Sequence, residues 1–525
     1  MHRPSLYNIA MALTVALGSL TYGYDIGILG NVVNNPTFFA AMKLDPVGPG
    51  AAHATTIIAW WNCILYVAGF VFCLVAPVFG DRFGRKTTIT VGAVFSIIGG
   101  ALQAGSVNAE MLIGARLIIG IGMGFLLPGV PLYQAEIAPP ASRGLIVGFH
   151  ASFIGFGTMV ASWIGVAFYH VEGQAGWRAP LALQLIFPVS LLICLFFVPE
   201  SPRWLCMHDR HEEAARSIEK LHSSTKDPEH TFAHKELAII KAQLAHEAQH
   251  RMTIGQALKK RSMQKRFALG FLAMSATQAS GLIVVLTYQA VIFGALGYSG
   301  FVVTIFSGVW TFFNGAGNLL GGIIGDYVGR KKQMGQSICV ESLYNGDANL
   351  AAAVGLVVLD ILLTVLCVTT KLYTGTDNRS GKVAAAVFTF LLICAFTTGV
   401  ECAAFVYTCE LFPGEWRALG VSTSIAAVFW WSIFFTAAAS PAFANIGALY
   451  YLVFISMTTV MAVIVILFFP NTWNYTLEQM AAVFGDEVID MHGHIESGKD
   501  FIQEEHIDTE LVEDTATKHT TTVKA

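Results

Sequence analysis

Two charged motifs occur twice along the chain, and their residue types could form ion pairs. The segment "GDRFGRK" at residues 80–86 returns as "GDYVGRK" at 325–331, and "YQAEIAPPASRG" at 133–144 returns as "YTCELFPGEWRALG" at 407–420. Arginine and carboxylate groups form strong, charge-assisted hydrogen bonds. The repetition therefore predicts one cluster of ion pairs in each half of the chain, with Glu136 between Arg85 and Arg143 in the first and with Arg330, Glu410 and Arg417 in the second.

The composition indicates that these clusters belong to a membrane protein. Of the 525 residues, 54% are apolar and only 13% are charged, and the mean hydropathy is +0.60. Soluble domains carry about 25% charged residues. Long stretches such as 267–324 and 418–476 contain no Asp, Glu, Lys or Arg. Runs of about 20 such residues are long enough to cross a bilayer as helices.

The chain is expected to be an all-α membrane protein with twelve transmembrane helices in two six-helix pseudo-repeats. The spans are predicted near residues 7–30, 57–79, 87–105, 110–133, 144–168, 179–198, 267–294, 300–325, 350–370, 383–409, 418–440 and 449–469. The predicted units are an N-terminal bundle (1–200), a linker with short helices (201–265), a C-terminal bundle (266–484) and a disordered tail (485–525). Short loops on one side hold more Lys and Arg, so we expect both termini in the cytosol and a multi-pass protein of the plasma membrane.

Each charged motif ends the second or the fourth span of its half, which indicates an internal duplication. Such repeats place a ligand site between the halves, near the middle of the membrane.

We expect the charged residues to form a gate that holds the cytosolic ends of the halves together and breaks to open inward. Basic anchors at the membrane surface are the simpler interpretation for any single loop. The predicted gate residues are Asp81, Arg85, Glu136, Arg143, Glu200, Arg330, Glu410 and Arg417.

Together with "GYD" (23–25), "RLIIGIGMG" (116–124) and "PESPRWL" (199–205), these motifs resemble the sugar porter family of the major facilitator superfamily, in its fungal type. The resemblance covers about residues 15–480. It implies a twelve-helix transporter rather than an enzyme, without a cofactor, that carries a monosaccharide or related solute by facilitation or proton symport. The lipid bilayer, protons and the solute are the implied partners, and a nucleic acid is not.

Two ionisable residues within the spans, Asp25 and Arg116, match the proton-coupling pair of proton-coupled relatives. Charged groups inside a membrane are costly and tend to mark function. Movement of Arg116 toward or away from Asp25 would change the proton affinity of the carboxylate between two states. A permanent buried ion pair is the alternative, and facilitators with the same "GYD" motif also exist in the resembled family.

The solute site implied by the resemblance is only partly kept. "TQASGLIVVLTY" (277–288) retains Gln278 and Tyr288 but lacks other polar positions of the family pattern. A pocket that bonds every sugar hydroxyl rejects ligands that lack them, so this pocket would suit a less hydroxylated or partly apolar solute. Helix packing without a ligand is the alternative for each of these positions. The predicted solute-binding residues are Gln278, Tyr288, Asn314, Trp430, Phe405, Glu401 and His150.

One further motif, "HEAQH" at 246–250, fits the H-E-x-x-H pattern of zinc peptidases. It lies in a linker of about 65 residues that is too short for a protease cleft, so no metal site is predicted.

The function expected from the sequence is secondary active transport of a small sugar-like or polyol-like solute by alternating access, coupled to protons. An efflux carrier for a less polar secondary metabolite and a non-transporting nutrient sensor are the alternatives.

Overall fold

The computed structural model describes most of the membrane-embedded chain. The described residues are 4–33, 35–44, 50–139, 142–223, 230–249, 252–298, 300–328, 354–374, 376, 378–470, 484–486, 488–489 and 495–496. Arg330, one of the predicted gate residues, lies outside them, as does most of the predicted tail.

Six predicted spans of the first half are helical. Their helices are Leu6–Val33, Ala51–Phe83, Arg85–Ala104, Ala109–Ile137 and Arg143–Phe168, followed by Ala175–Leu183 with Ile186–Leu195. Gly84 alone separates the second and third spans, and its φ of 105° is a left-handed conformation that favours glycine. A Cβ at this position would also lie 2.4 Å from Oε2 of Glu200, so the first charged motif requires its glycine.

The second half repeats this order with one broken span. Its helices are Arg261–Ala279, Leu282–Thr287 and Gln289–Ala295 for the seventh span, then Gly300–Val328, Val354–Tyr373, Arg379–Phe396, Cys402–Glu410, Arg417–Ile446 and Tyr451–Phe468. A π-helical turn, Thr397–Glu401, joins the two parts of the tenth span. The twelve predicted spans therefore all correspond to helices.

Short elements lie outside the spans. The helices are Pro36–Met42 and, in the predicted linker, Pro202–Met207, His211–Leu221, Thr231–Gln249 and Ile254–Ala257. Two short 3₁₀ turns, Gly414–Trp416 and Gly447–Tyr450, flank the eleventh span. Val488–Ile489 and Ile495–Glu496 pair as antiparallel strands, within the segment for which the sequence predicts disorder.

The outer surface of the bundle is apolar. Among the described residues, ten helical runs are long and apolar enough to cross a membrane, namely Leu6–Val33, Thr56–Phe83, Arg85–Ala104, Ala109–Ile137, Arg143–Phe168, Ala175–Leu195, Leu356–Tyr373, Arg379–Glu410, Gly414–Phe443 and Gly447–Phe468. Large side chains on them, such as Ile193, Ile361 and Val460, are more than half exposed. Apolar side chains on the outside of a helix bundle suit contact with lipid.

The two halves meet along two seams. In one, Arg143–Phe168 packs on Gly300–Val328, where a Cβ at Gly155 would lie only 2.4 Å from the backbone nitrogen of Gly315. In the other, Ala51–Phe83 packs on Arg417–Ile446, where the Cys73 thiol donates a hydrogen bond to the Ser422 carbonyl at 3.2 Å. Small residues let helices approach closely in lipid. The seams leave a space between the halves.

Candidate functional site

A central cavity lies between the two halves. The empty space within it is about 720 Å³, a figure that includes open solvent at its mouth. Both halves contribute to its wall. The lining residues are Tyr22, Ile26, Leu127, Ile154 and Thr158 from the first half, and Thr277, Gln278, Leu282, Ile283, Leu286, Trp310, Asn314, Ile393, Phe396, Glu401, Phe405, Val428 and Ser432 from the second.

Four of the predicted solute-binding residues line this cavity: Gln278, Asn314, Glu401 and Phe405. The side-chain oxygen of Gln278 accepts a long hydrogen bond, 3.4 Å, from the Ser432 hydroxyl. The structure thus brings these four residues, from three separate spans, to one wall of the cavity.

A hydrogen-bond network fixes Glu401 at the cavity. Nδ2 of Asn318 donates to Oε2 of Glu401 at 2.8 Å and to Oδ1 of Asn314 at 2.9 Å. Glu401 ends the π-helical turn, a feature that is frequent at functional sites. Sequence analysis missed Asn318, although an amide one helical turn after Asn314 in an apolar span was a signal for it.

The other three predicted binding residues lie elsewhere. His150 is fully buried, its Nδ1 is 2.8 Å from the Ser19 hydroxyl, and its ring meets the Phe405 ring edge to face behind the cavity wall. Trp430 is 40% exposed and its ring packs on Phe70 at the seam between the halves. Its place outside the cavity differs from the prediction, because the helix turns this position away from the centre.

The third of them, Tyr288, lines a second space, the outer cavity, with a volume of about 1110 Å³. Its hydroxyl donates to the Thr436 carbonyl at 3.1 Å. Ile26 and Leu286 line both cavities, so the two spaces adjoin. The outer cavity lies between the helix ends that are opposite to the linker, which we call the outer side; the other side is the linker side.

The seventh span is broken at Gly281, beside the central cavity. Gly281 has a φ of +69°, and the Phe454 ring would lie 2.4 Å from a Cβ there. Gln278, at the last turn before the break, lines the central cavity, and Tyr288, after it, lines the outer one. Broken helices beside binding sites are usual in transporters, where the freed backbone lines a cavity.

Arg116 is bound to backbone and amide groups near Asp25. Its Nη1 donates to the backbone carbonyl of Asp25 at 3.0 Å, its Nε to that of Trp61 at 3.3 Å, and its Nη2 to the side-chain oxygen of Asn62 at 3.3 Å. Within the described residues, the Asp25 carboxylate has no cation within 4 Å, and its buried Oδ2 has no hydrogen-bond partner. The two residues are therefore neighbours without being ion-paired in this state.

The first charged cluster forms on the linker side, as the sequence predicts. Arg85 Nη1 lies 2.6 Å from Oδ1 of Asp81, and its Nη2 lies 3.2 Å from Oε1 of Glu136. Oε1 of Glu200 accepts hydrogen bonds from the backbone N–H groups of Arg85 and Lys86. Burial raises the pKa of Glu200 above its ordinary value. All these groups belong to the first half.

The second cluster connects the halves. Nη1 of Arg143 lies 3.8 Å from Oε1 of Glu410, and the positive charge of Arg417 acts on Glu136. The sequence predicted Arg143 beside Glu136 and Arg417 beside Glu410. The two interactions described here run across the halves. Charged groups of both halves thus meet on the linker side, whereas the outer side holds the larger cavity.

A scan of protein families matches residues 11–484 to the family "Sugar (and other) transporter". The chain is 28% identical over 480 residues to the MFS-type transporter criB of Aspergillus cristatus, covering 91% of this chain and 93% of that protein. It is 27% identical over 494 residues to the high-affinity glucose transporter of Kluyveromyces lactis, covering 92% and 86%.

Among solved structures, the fold matches the proton:xylose symporter XylE, of the major facilitator superfamily, bound to 6-bromo-6-deoxy-D-glucose. The TM-score is 0.76 at 22% identity, and the match covers 91% of this chain and 99% of that one. The all-α fold, the two six-helix halves and the family match agree with one another. This chain therefore belongs to the Sugar (and other) transporter family and has the fold of the major facilitator superfamily.

Proposed function

We propose that this protein is a secondary transporter that moves a small organic solute by alternating access of the central cavity. The observation that carries the proposal is that both halves line this cavity. A rocking motion about the two seams would expose the cavity first to one side and then to the other. The ion pair between Arg143 and Glu410 closes the linker side in the present state.

The transported solute is a sugar-like or polyol-like molecule. Gln278 and Asn314 offer amide groups at the cavity, and Thr158, Thr277 and Ser432 offer hydroxyl groups. These groups suit a ligand with a few hydroxyls. The similarity to a glucose transporter supports this class of solute.

Proton symport supplies the driving force in this proposal. Asp25 is buried in the first span, next to an arginine that is held by neutral groups. A shift of the guanidinium by a few ångströms would change the electrostatic environment of the carboxylate, and with it the binding of a proton. The proposed membrane is the plasma membrane, and the loop charges predict both termini in the cytosol.

A second candidate is an efflux carrier for a less polar metabolite. The observation in its favour is the wall of the cavity, in which apolar and aromatic side chains outnumber polar ones. A sugar would leave several of its hydroxyls unpaired against such a wall. The third reading, a nutrient sensor, differs from both because it predicts binding without flux.

Solute counterflow tests the proposal. The purified full-length protein is reconstituted in sealed vesicles that are loaded with unlabelled D-xylose or sorbitol, and entry of the labelled compound is measured. We expect transient accumulation that Asn314→Ala reduces and that Asn445→Ala leaves unchanged, because Asn445 is exposed and bonds only its own helix among the described contacts. Binding without entry would indicate a sensor, and entry of apolar compounds alone would indicate the efflux carrier.

A further inference from the structure

The central cavity contains a carboxylate whose role transport of a neutral sugar does not explain. Glu401 lines the cavity and is partly exposed to it. Asn318 is fully buried behind it and donates one neutral hydrogen bond, at 2.8 Å. Of the residues described as lining this cavity, none is a Lys, Arg or His. A carboxylate at this depth is costly unless an opposite charge accompanies it.

We propose that the central cavity binds an organic cation with a basic nitrogen and an apolar body, and that Glu401 pairs with its ammonium group. This inference rests on the transport by alternating access proposed above, but it assigns the cavity an organic cation in place of the sugar-like or polyol-like solute. The ammonium would supply the positive charge that the described cavity wall lacks. Charge-assisted bonds of this kind are about twice as strong as neutral ones.

The carboxylate is held in position before any ligand binds. Nδ2 of Asn318 contacts Glu401, Asn314 and the backbone carbonyl of Ala151, at 2.8, 2.9 and 3.4 Å. The Ala151 contact comes from the other half, across the seam. A preorganised charged group loses little freedom on binding, which favours affinity.

The remaining wall suits the apolar body of such a ligand. Trp310, Phe396 and Phe405 bring aromatic rings to the cavity, and aliphatic side chains such as Leu282 and Ile283 fill the space between them. Aromatic faces attract cations and bury apolar groups. Apolar and aromatic side chains form most of the wall, so the wall and the carboxylate favour the same class of solute.

A matched pair of probes tests this inference on the full-length protein purified in detergent. 2-Phenylethylamine, which is a cation at pH 7, and 2-phenylethanol differ at one functional group, and their affinities are measured by calorimetry. We expect the amine to bind about tenfold more tightly than the alcohol, or better. Glu401→Gln, which keeps an oxygen that can accept from Asn318, should remove this preference.

Asp360→Asn is the matched control, because Asp360 is another carboxylate in a spanning helix, bonded to the Thr459 hydroxyl and absent from the lining of the central cavity. This variant should keep the preference for the amine. Equal affinities of the two probes for the natural protein, absence of amine binding, or a preference that survives Glu401→Gln would each overturn the inference. The comparison on the natural protein decides the matter even if Glu401→Gln does not fold.

The counterflow experiment and this binding experiment test different claims, so either claim can be refuted while the other holds. Amine binding that depends on Glu401, without counterflow of D-xylose or sorbitol, would refute transport of a sugar-like solute and leave the cation site in place. Counterflow of D-xylose without any preference for the amine would support transport and refute the cation site.

Discussion

Nη1 of Arg143, in the first half of the chain, lies 3.8 Å from Oε1 of Glu410, in the second half, and both side chains are almost fully buried. Each residue belongs to one copy of the repeated motif Tyr-x-x-Glu-x-x-Pro-x-x-x-Arg. The duplication therefore does more than give each half its own cluster, since the copies also contact each other. An ion pair at this place opposes separation of the halves on the linker side.

The first prediction concerns the two glutamates of the repeated motif. Glu136→Gln and Glu410→Gln should each weaken contact between the halves on the linker side. Glu136 interacts with the charge of Arg417 of the other half, and Glu410 pairs with Arg143. Loss of one partner of such a pair costs about 2 kcal/mol or more, so the open population should rise about tenfold or more. Asp81→Asn is the control: its carboxylate is 38% exposed and pairs within its own half, so a smaller change is expected.

A cysteine in the outer cavity reports this equilibrium. In the variant Asn31→Cys the thiol lies at the outer cavity, and its labelling by a maleimide should slow when the linker side opens. The same protein without Asn31→Cys gives the background from natural cysteines. Labelling rates that do not differ between Glu410→Gln and Asp81→Asn would contradict the gate.

The second prediction is that Asp25→Asn separates exchange from proton-driven uptake. The variant keeps the shape of the side chain and the backbone carbonyl that binds Arg116. It cannot bind and release a proton, so accumulation driven by a pH gradient should be lost while solute counterflow continues. If Asp25→Asn accumulates solute as well as the natural protein does, Asp25 does not couple transport to protons.

The third prediction concerns D-glucose, which should bind weakly. Apolar side chains form most of the cavity wall, and hydroxyls left unpaired against them in a dry site cost affinity. Uptake by reconstituted vesicles should rise almost linearly with D-glucose concentration. Tight, saturable uptake would contradict the expectation that the apolar cavity wall disfavours D-glucose.

The fourth prediction is that Gly281→Ala destabilises the protein. The left-handed φ disfavours alanine by about 1 kcal/mol, and the added methyl would overlap the Phe454 ring, at a further cost of about 1–3 kcal/mol. Gly294→Ala, in a helix with no heavy atom within 4 Å of the new Cβ, should be neutral or slightly stabilising. Thermal unfolding in detergent compares the two variants, and equal midpoints would rule out the strain.

The spans and part of the cavity could be predicted because charge and apolar length determine which segments lie in lipid. Gln278 and Asn314 were found because polar residues are rare there. Trp430 is not among the residues described as lining the cavity, whereas its neighbour Trp431 faces the seventh span, where Nε1 donates to the Ser275 hydroxyl at 2.9 Å. In a helix that is apolar all round, the sequence gives no sign of which face is inward. The contact between Arg143 and Glu410 depends on how the halves dock, which no local pattern specifies.

A charge exchange between Arg143 and Glu410 tests the central claim, that contact between the halves on the linker side controls access to the cavities. Labelling of Asn31→Cys is measured in Arg143→Glu, in Glu410→Arg and in the double variant. We predict that each single change slows labelling about tenfold, since it places like charges together in a buried site, and that the double change restores most of the rate. Unchanged labelling in the single variants, or a double variant as slow as the singles, would contradict the account.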